Sequence, residues 1–245
     1  MKFQTGIDFM HKTYKSALSP TPQSQGADEP LLEIPIPAGA VLIDLPKPQE
    51  MKVKGVDLRT MMENRATLRK YSQASITLEE LAYLLWLTQG VKRVTDKPVS
   101  FRVVPSAGSR HAFETYLLVN RVDGLKPGLY RYAAIEHKLL AARIDDDVVE
   151  EITQGTYCQA HVRNSAVTFL WAAVTERITW RYVERSYRYM HLDAGHVCQN
   201  LYLAAESIDC GVCAIASYDD EVINSILKLD GDDQFVIYMA SLGKK

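Results

Sequence analysis

The chain has 245 residues, enough for one sizeable core, and its 47% hydrophobic and 24% charged content is that of an ordinary globular protein. Lys and Arg total 28 against 30 Asp and Glu, a formal charge of -2; without a basic field, general nucleic-acid or membrane-surface binding is excluded and any anion site must be local. MKFQTGIDFMHKTYKS lacks the apolar core of a signal peptide and the longest apolar run, residues 166–174, is too short to cross a bilayer, so a soluble, cytoplasmic protein is expected.

Residues 16–50 hold most of the chain's ten prolines. Proline lacks an amide donor and biases its predecessor towards extended geometry, which excludes helix there. Yet Leu31, Leu32, Ile34, Ile36, Val41, Leu42 and Ile43 are too apolar for a solvated linker. Residues 1–50 are therefore expected to form an extended arm lying on the domain surface or on a partner subunit, ahead of one domain over 51–245. In VDLRTMMENRA the spacing of Leu58, Met61, Met62 and Arg65 predicts a short helix. SITLEELAYLLWLTQG predicts a second, with a Thr77–Glu80 capping box and Gly90 in a left-handed C-terminal position. Its apolar residues cover more than one face, so deep burial is expected.

A β-rich block follows in SFRVVP, FETYLLVNRV, GLYRYAA and HKLLAARI, with GLKPGLY as a turn. DDDVVEEITQG reads as a helix with acids at its favourable end, and AVTFLWAAV as a buried strand. RYMHLDAGHVCQNLYLAAESIDCG is the longest predicted helix, closed by Gly211. DDEVINSILKL gives a short helix and QFVIYMASLG a final strand. The fold class is α+β, with a largely antiparallel sheet flanked by helices.

ENRATLRKYS sets Arg65, Thr67, Arg69 and Tyr71 at every second position. Arginine forks beside a hydroxyl suit a phosphate; basic residues offsetting a helix C-terminus are the plainer reading. PSAGSRH leaves bare backbone that a flat ligand can approach, or is a simple hairpin loop. CAIASYDD runs small and apolar from the long helix into the next, offering free amides. Cys210 and Cys213 lack a second C-x-x-C, so buried reduced thiols are expected rather than a zinc site. The six histidines form no ligand set, and no metal is expected. G-x-S-x-G, the P-loop and G-x-G-x-x-G are absent from the sequence.

Taken in order, these stretches resemble the flavin-dependent nitroreductase superfamily. RATLRKY resembles its R-x-S-x-[RK]-x-[FY] element, with Thr67 in the serine place; PSAG resembles its Pro-Ser loop, and CAIASYD its C-x-I-x-x-F/Y-D segment. The chain is most similar to the SagB-type (azoline) dehydrogenase branch, through LLWLTQGV, VPSAGSRHAFETYLLV, VDGLKPGLYRY, WRYVERSYRYMHLDAGHVCQNLYLAAES and DDQFVIYMASLGKK. The match covers roughly residues 51–245.

The resemblance implies FMN held between two subunits of a homodimer. By the matching motifs, Arg65 and Thr67 bind the phosphate and Arg69 the pyrimidine edge of the ring. Pro105, Ser106 and Ala107 contact the flavin from the partner subunit, and the amides of Ala216 and Ser217 face the reacting nitrogen and its neighbouring carbonyl. Gln159 meets the ribityl chain or ring edge, and Lys244 and Lys245 stand where family members carry C-terminal basic residues for the phosphate. Branch members that modify peptides show Lys-Tyr where this chain has Arg181-Tyr182, a pair linked to removing the substrate's protons. Arginine stays protonated, so Arg181 is unsuited to act as a base, while Tyr182 can donate a proton or hydrogen bond. The activity implied is hydride transfer from NAD(P)H to a nitroaromatic, quinone or similar flat acceptor. The alternatives are an azoline dehydrogenase acting on thiazoline or oxazoline peptides, and a flavin-binding protein without turnover.

Overall fold

The computed structural model describes residues 3–97, 99–145 and 147–245. The β-branched and aromatic runs form strands β1 (Leu42–Asp44), β2 (Val91–Val94), β3 (Ser100–Arg102), β4 (Phe113–Val119), β5 (Gly128–Ala133), β6 (Lys138–Arg143), β7 (Val167–Val174), β8 (Cys210–Ile215) and β9 (Gln234–Lys244). Seven of them make one sheet in the order β1-β6-β5-β4-β7-β9-β8, every neighbouring pair antiparallel. β2 and β3 pair separately as a hairpin. All residues of β4, β5 and β7 are buried, because helices cover both faces of the sheet. That explains why these strands read as continuous apolar runs rather than alternating ones.

The helices are α1 (Gln4–Lys12), α2 (Leu58–Asn64), α3 (Leu78–Gln89), α4 (Val148–Gly155), α5 (Ala160–Arg163), α6 (Glu176–Tyr182), α7 (Ser186–Glu206) and α8 (Asp220–Leu227). α3 and α7 supply one core with Leu81, Leu84, Leu85, Met190 and Leu201. α4 and α8 supply the other with Val148, Ile152 and Ile223. α3 carries the predicted capping box. α2 starts on Asp57, whose carboxylate accepts from the Thr60 amide at 2.9 Å. Of its apolar stripe, Met61 turns towards Tyr83 and Leu87 of α3 and Leu203 of α7, while Leu58 and Met62 are each 57% exposed.

Three expectations are corrected. Residues 1–50 are not extended throughout: α1 is a helix ahead of the prolines, and β1 joins the sheet beside β6. Gly90 is not left-handed, having φ -57 and ψ 134; it is small because an added Cβ would lie 2.3 Å from the Trp86 ring. The long helix stops at Glu206, five residues before Gly211, and Cys210–Ile215 is edge strand β8. Asp209, at φ 54, makes the left-handed turn between them.

The arm lies against its own domain, held by buried arginines. Arg177 Nε donates to the Leu31 carbonyl at 3.0 Å, and Arg131 donates to the carbonyls of Ile34 at 2.9 Å and Pro35 at 3.2 Å. Arg110 pairs with Glu29, and Trp180 Nε1 donates to the Ala27 carbonyl at 3.0 Å. Glu33 accepts from the Ala134 amide. Burial, with Glu114 nearby, pushes the Glu33 carboxyl up from 4.5 to about 7. A raised folded-state pKa means stability that is fully present below 4.5 and lost as pH rises towards 7. Glu33→Gln is therefore expected to gain on the parent protein by up to about 3 kcal/mol between pH 4.5 and 8. Denaturant melts at both ends of that range read it, and parallel stability curves would refute it.

Candidate functional site

Arg65 closes α2, its amide donating to the Met61 carbonyl at 3.0 Å. The chain then runs extended along the free edge of β8: Thr67 bridges Val212 in parallel, and the Leu68 amide donates to the Val212 carbonyl at 2.9 Å. Two glycines floor this path. A Cβ on Gly211 would lie 2.5 Å from Leu68, and one on Gly243 would lie 2.7 Å from the Tyr71 ring. Gly211→Ala is expected to lift the segment off the strand and cost about 1–3 kcal/mol, read as a lower denaturant midpoint; an unchanged midpoint would show that Leu68 yields freely.

The alternation sorts these side chains. Leu68 packs inward on Gly211. Thr67 Oγ1 lies 3.3 Å from the Tyr202 hydroxyl, which accepts from the Ala214 amide at 3.0 Å. The Arg65 guanidinium sits 5.4 Å above the same Tyr202 ring. Arg69, whose charge acts on the Cys213 thiol, opens onto a hollow of about 490 Å³ that it shares with Lys70, Tyr71, His161 and Asn164. Among the described residues neither Arg65 nor Arg69 forms an ion pair. Two arginines held along one edge without counter-charges suit an anionic ligand. A larger hollow of about 560 Å³ between α4 and α8 carries Glu151, Asp219 and Glu221, the wrong sign for a phosphate.

β8 ends at Ile215 and the chain turns. Ala216 and Ser217 are exposed, and their amides donate to no acceptor among the described residues. Gln159 joins this group, its Nε2 donating to the Ser217 carbonyl at 2.7 Å. Arg65, Thr67, Arg69, Gln159, Ala216 and Ser217 are thus assembled around one strand edge.

A second cluster forms at the other end of α7. Asp193 Oδ2 accepts from Ser106 Oγ at 2.7 Å and from the Ala107 amide at 3.1 Å, and Ser106 Oγ accepts from the His111 amide at 2.9 Å. Burial raises the Asp193 carboxyl, opposed by the Ser106 hydrogen bond. Gly108, at φ 58, approaches the Tyr182 hydroxyl so closely that a Cβ would lie 2.4 Å from it. Tyr182 stacks edge-on against Tyr189 at 4.9 Å, and exposed Arg181 lies 5.7 Å over the Tyr182 ring. Pro105–Ala107 and Arg181–Tyr182 are thus one neighbourhood. Asp193 and Tyr202 are nine residues apart on α7, so the clusters lie about 13 Å apart along its axis.

Lys244 and Lys245 are not brought to either cluster. Lys244 Nζ is paired with Glu80 at 2.5 Å and Lys245 Nζ with Glu206 at 2.6 Å. Of the cysteines, Cys198, Cys210 and Cys213 are buried free thiols and Cys158 is exposed. Burial pushes Cys210 up to about 12. Sequence reasoning missed Tyr202, Asp193, His161 and Ser241, for which no motif gave a signal.

The nitroreductase family model matches residues 62–244. The chain belongs to the nitroreductase family. This nitroreductase-family chain is 32% identical over 203 residues to a Methanocaldococcus jannaschii protein described as a nitroreductase, covering 83% of this chain and 96% of that one. It is 31% identical over 133 residues to the trifolitoxin-processing protein TfxB of Rhizobium leguminosarum bv. trifolii, covering 53% of this chain and 36% of TfxB. That likeness lies on the side of the SagB-type branch. A Desulfovibrio desulfuricans protein described as a nitroreductase, solved in complex with FMN, shares the fold with a TM-score of 0.54 and 15% identity, over 78% of this chain and 87% of that one.

Proposed function

We propose that the protein is an FMN-dependent oxidoreductase that passes hydride from NAD(P)H to a nitroaromatic, quinone or similar flat acceptor. The observation that carries this reading is the pair of cations Arg65 and Arg69, without ion-pair partners among the described residues, flanking Thr67 beside the Ala216 and Ser217 amides, which among those residues meet no acceptor. Arg65 and Thr67 hold the phosphate, Tyr202 fixing both from beneath. Arg69 faces the pyrimidine edge of the ring, and the 216–217 amides donate to its reacting side. Bound FMN supplies the two-electron chemistry; the chain binds it, orients it and sets its potential. Pro105–Ala107 stand with Tyr182 in a second cluster about 13 Å along α7 from the Tyr202 group, and the resemblance, which gives this loop to the partner's flavin, supports a homodimer with each flavin site built from both subunits. Tyr182, beside that loop, is placed to donate a proton or hydrogen bond, and Arg181 contributes fixed charge rather than base catalysis.

The protein is tested by supplying FMN, dialysing, and adding NADH or NADPH anaerobically. Yellow protein that bleaches within seconds is expected. Colourless protein refutes the cofactor; yellow protein that neither nicotinamide bleaches refutes hydride loading and favours flavin binding without turnover.

The likeness to TfxB supports a second reading, an azoline dehydrogenase in the cytoplasm acting on thiazoline or oxazoline peptides. Arg181 in the lysine place weighs against it. Loss of two hydrogens from a thiazoline peptide, followed by mass spectrometry, would establish it.

A further inference from the structure

His161 opens a polar chain that crosses the site behind Arg69. Gln159 Nε2 donates to the Ser217 carbonyl at 2.7 Å, which turns the amide oxygen towards His161. That oxygen lies 2.9 Å from His161 Nε2 and can only accept, so Nε2 carries the proton. Nδ1 is then an acceptor, 3.0 Å from Ser241 Oγ. Ser241 Oγ donates its one proton to it, so at 2.8 Å from the Tyr71 hydroxyl it can only accept; Tyr71 shares its proton between that oxygen and the Ser241 carbonyl at 3.1 Å. Every donor in the series points the same way, from Tyr71 to the Ser217 carbonyl.

The titratable groups facing the ring are Arg69, Tyr71 and Cys213, whose thiol lies 4.0 Å from Nε2. Burial, then the Arg69 charge, lowers the His161 pKa and keeps the imidazole neutral. Burial raises both Tyr71 and Cys213, so both stay protonated. The acceptor at Nδ1 is therefore maintained.

We infer that His161 is a positioning residue of the flavin site: it locks the Gln159 amide, which holds the Ser217 carbonyl inward and leaves the Ala216 and Ser217 amides facing out. The same imidazole ties that turn, through Ser241, to Tyr71 at the end of the arginine row. Two walls drawn from distant parts of the sequence are thereby set against each other. The inference deepens the FMN reading and rests on it.

The test uses full-length His161→Phe, Gln159→Ala and the double variant, with FMN dissociation constants read by fluorescence quenching. Each single change is expected to weaken binding about tenfold. The double variant is expected to bind no more weakly than the poorer single one, because His161 acts through Gln159. Additive losses, or an unchanged constant in His161→Phe, would overturn the inference. Nitrogen-15 NMR of the FMN-free parent protein needs no variant to fold. It should show His161 as the neutral, Nε2-protonated tautomer from pH 6 to 8; an Nδ1-protonated ring or an imidazolium would overturn it. Parent protein that takes up no FMN would sink the cofactor reading instead and leave the tautomer result standing.

Discussion

Glu114→Ala is expected to destabilise the fold by about 3–5 kcal/mol, a fall in Tm of roughly 10–15 °C for a chain of this size. Glu114 is 3% exposed and sits between two equally buried arginines. Its Oε1 accepts from Arg177 at 2.5 Å and from the Ile34 amide at 2.8 Å, and its Oε2 faces Arg131 at 3.6 Å. Arg131 Nε and Arg177 Nη1 already lack a partner among the described residues. Removing the shared carboxylate strands two desolvated cations, and the full penalty of an uncompensated buried charge follows. It also frees the arm, since Ile34 loses its acceptor while Arg177 and Arg131 lose the charge that orients them towards Leu31, Ile34 and Pro35. Limited proteolysis should then cut between residues 18 and 40 well below Tm. Glu114→Gln keeps an acceptor of the same shape and is expected to fall between the two. A Tm within about 3 °C of the parent for Glu114→Ala would show that water reaches these arginines and that the arm is held by its apolar side chains.

The strands buried on both faces were legible because TYLLV and VTFLWAAV are nearly continuous runs of branched, aromatic and other apolar residues bounded by turn signals. What sequence could not show was the role of its glycines. Gly90 and Gly211 both follow apolar helical runs, and both read as helix ends; each is small because a side chain crowds its Cα, Trp86 one turn back on the same helix for Gly90 and Leu68 from a distant segment for Gly211. Asp209 took the left-handed turn instead, so the first residues of β8 read as the end of the helix and the rest as a connection to the next one. The β2 strand, VKRV, was hidden because its outward residues are charged. At the site, the alternation of Arg65, Thr67 and Arg69 was visible in the sequence, since an extended segment puts every second residue on one side. Tyr202, Asp193 and His161 were not visible, because each acts on a segment that only the tertiary fold brings near.

Arg69→Ala is expected to retain FMN through Arg65 and Thr67 while making it harder to reduce. Two-electron reduction adds negative charge to the pyrimidine edge of the ring, so a cation there favours the reduced state. A charge ~4 Å away at an effective dielectric of ~20 is worth about 4 kcal/mol, which for two electrons sets an upper bound near ~90 mV. Arg69 is exposed, so water and the phosphate screen it, and a fall of a few tens of millivolts is the expected reading in a dye-coupled titration. Arg69→Lys separates charge from shape: a point charge restores most of the potential, while the fork that suits the ring edge is lost, so affinity should recover less than potential does. An Arg69→Ala protein whose midpoint matches the parent's would move Arg69 from the ring to the phosphate. The ring would then owe its potential to the Ala216 and Ser217 amides, which no side-chain deletion at position 69 would disturb.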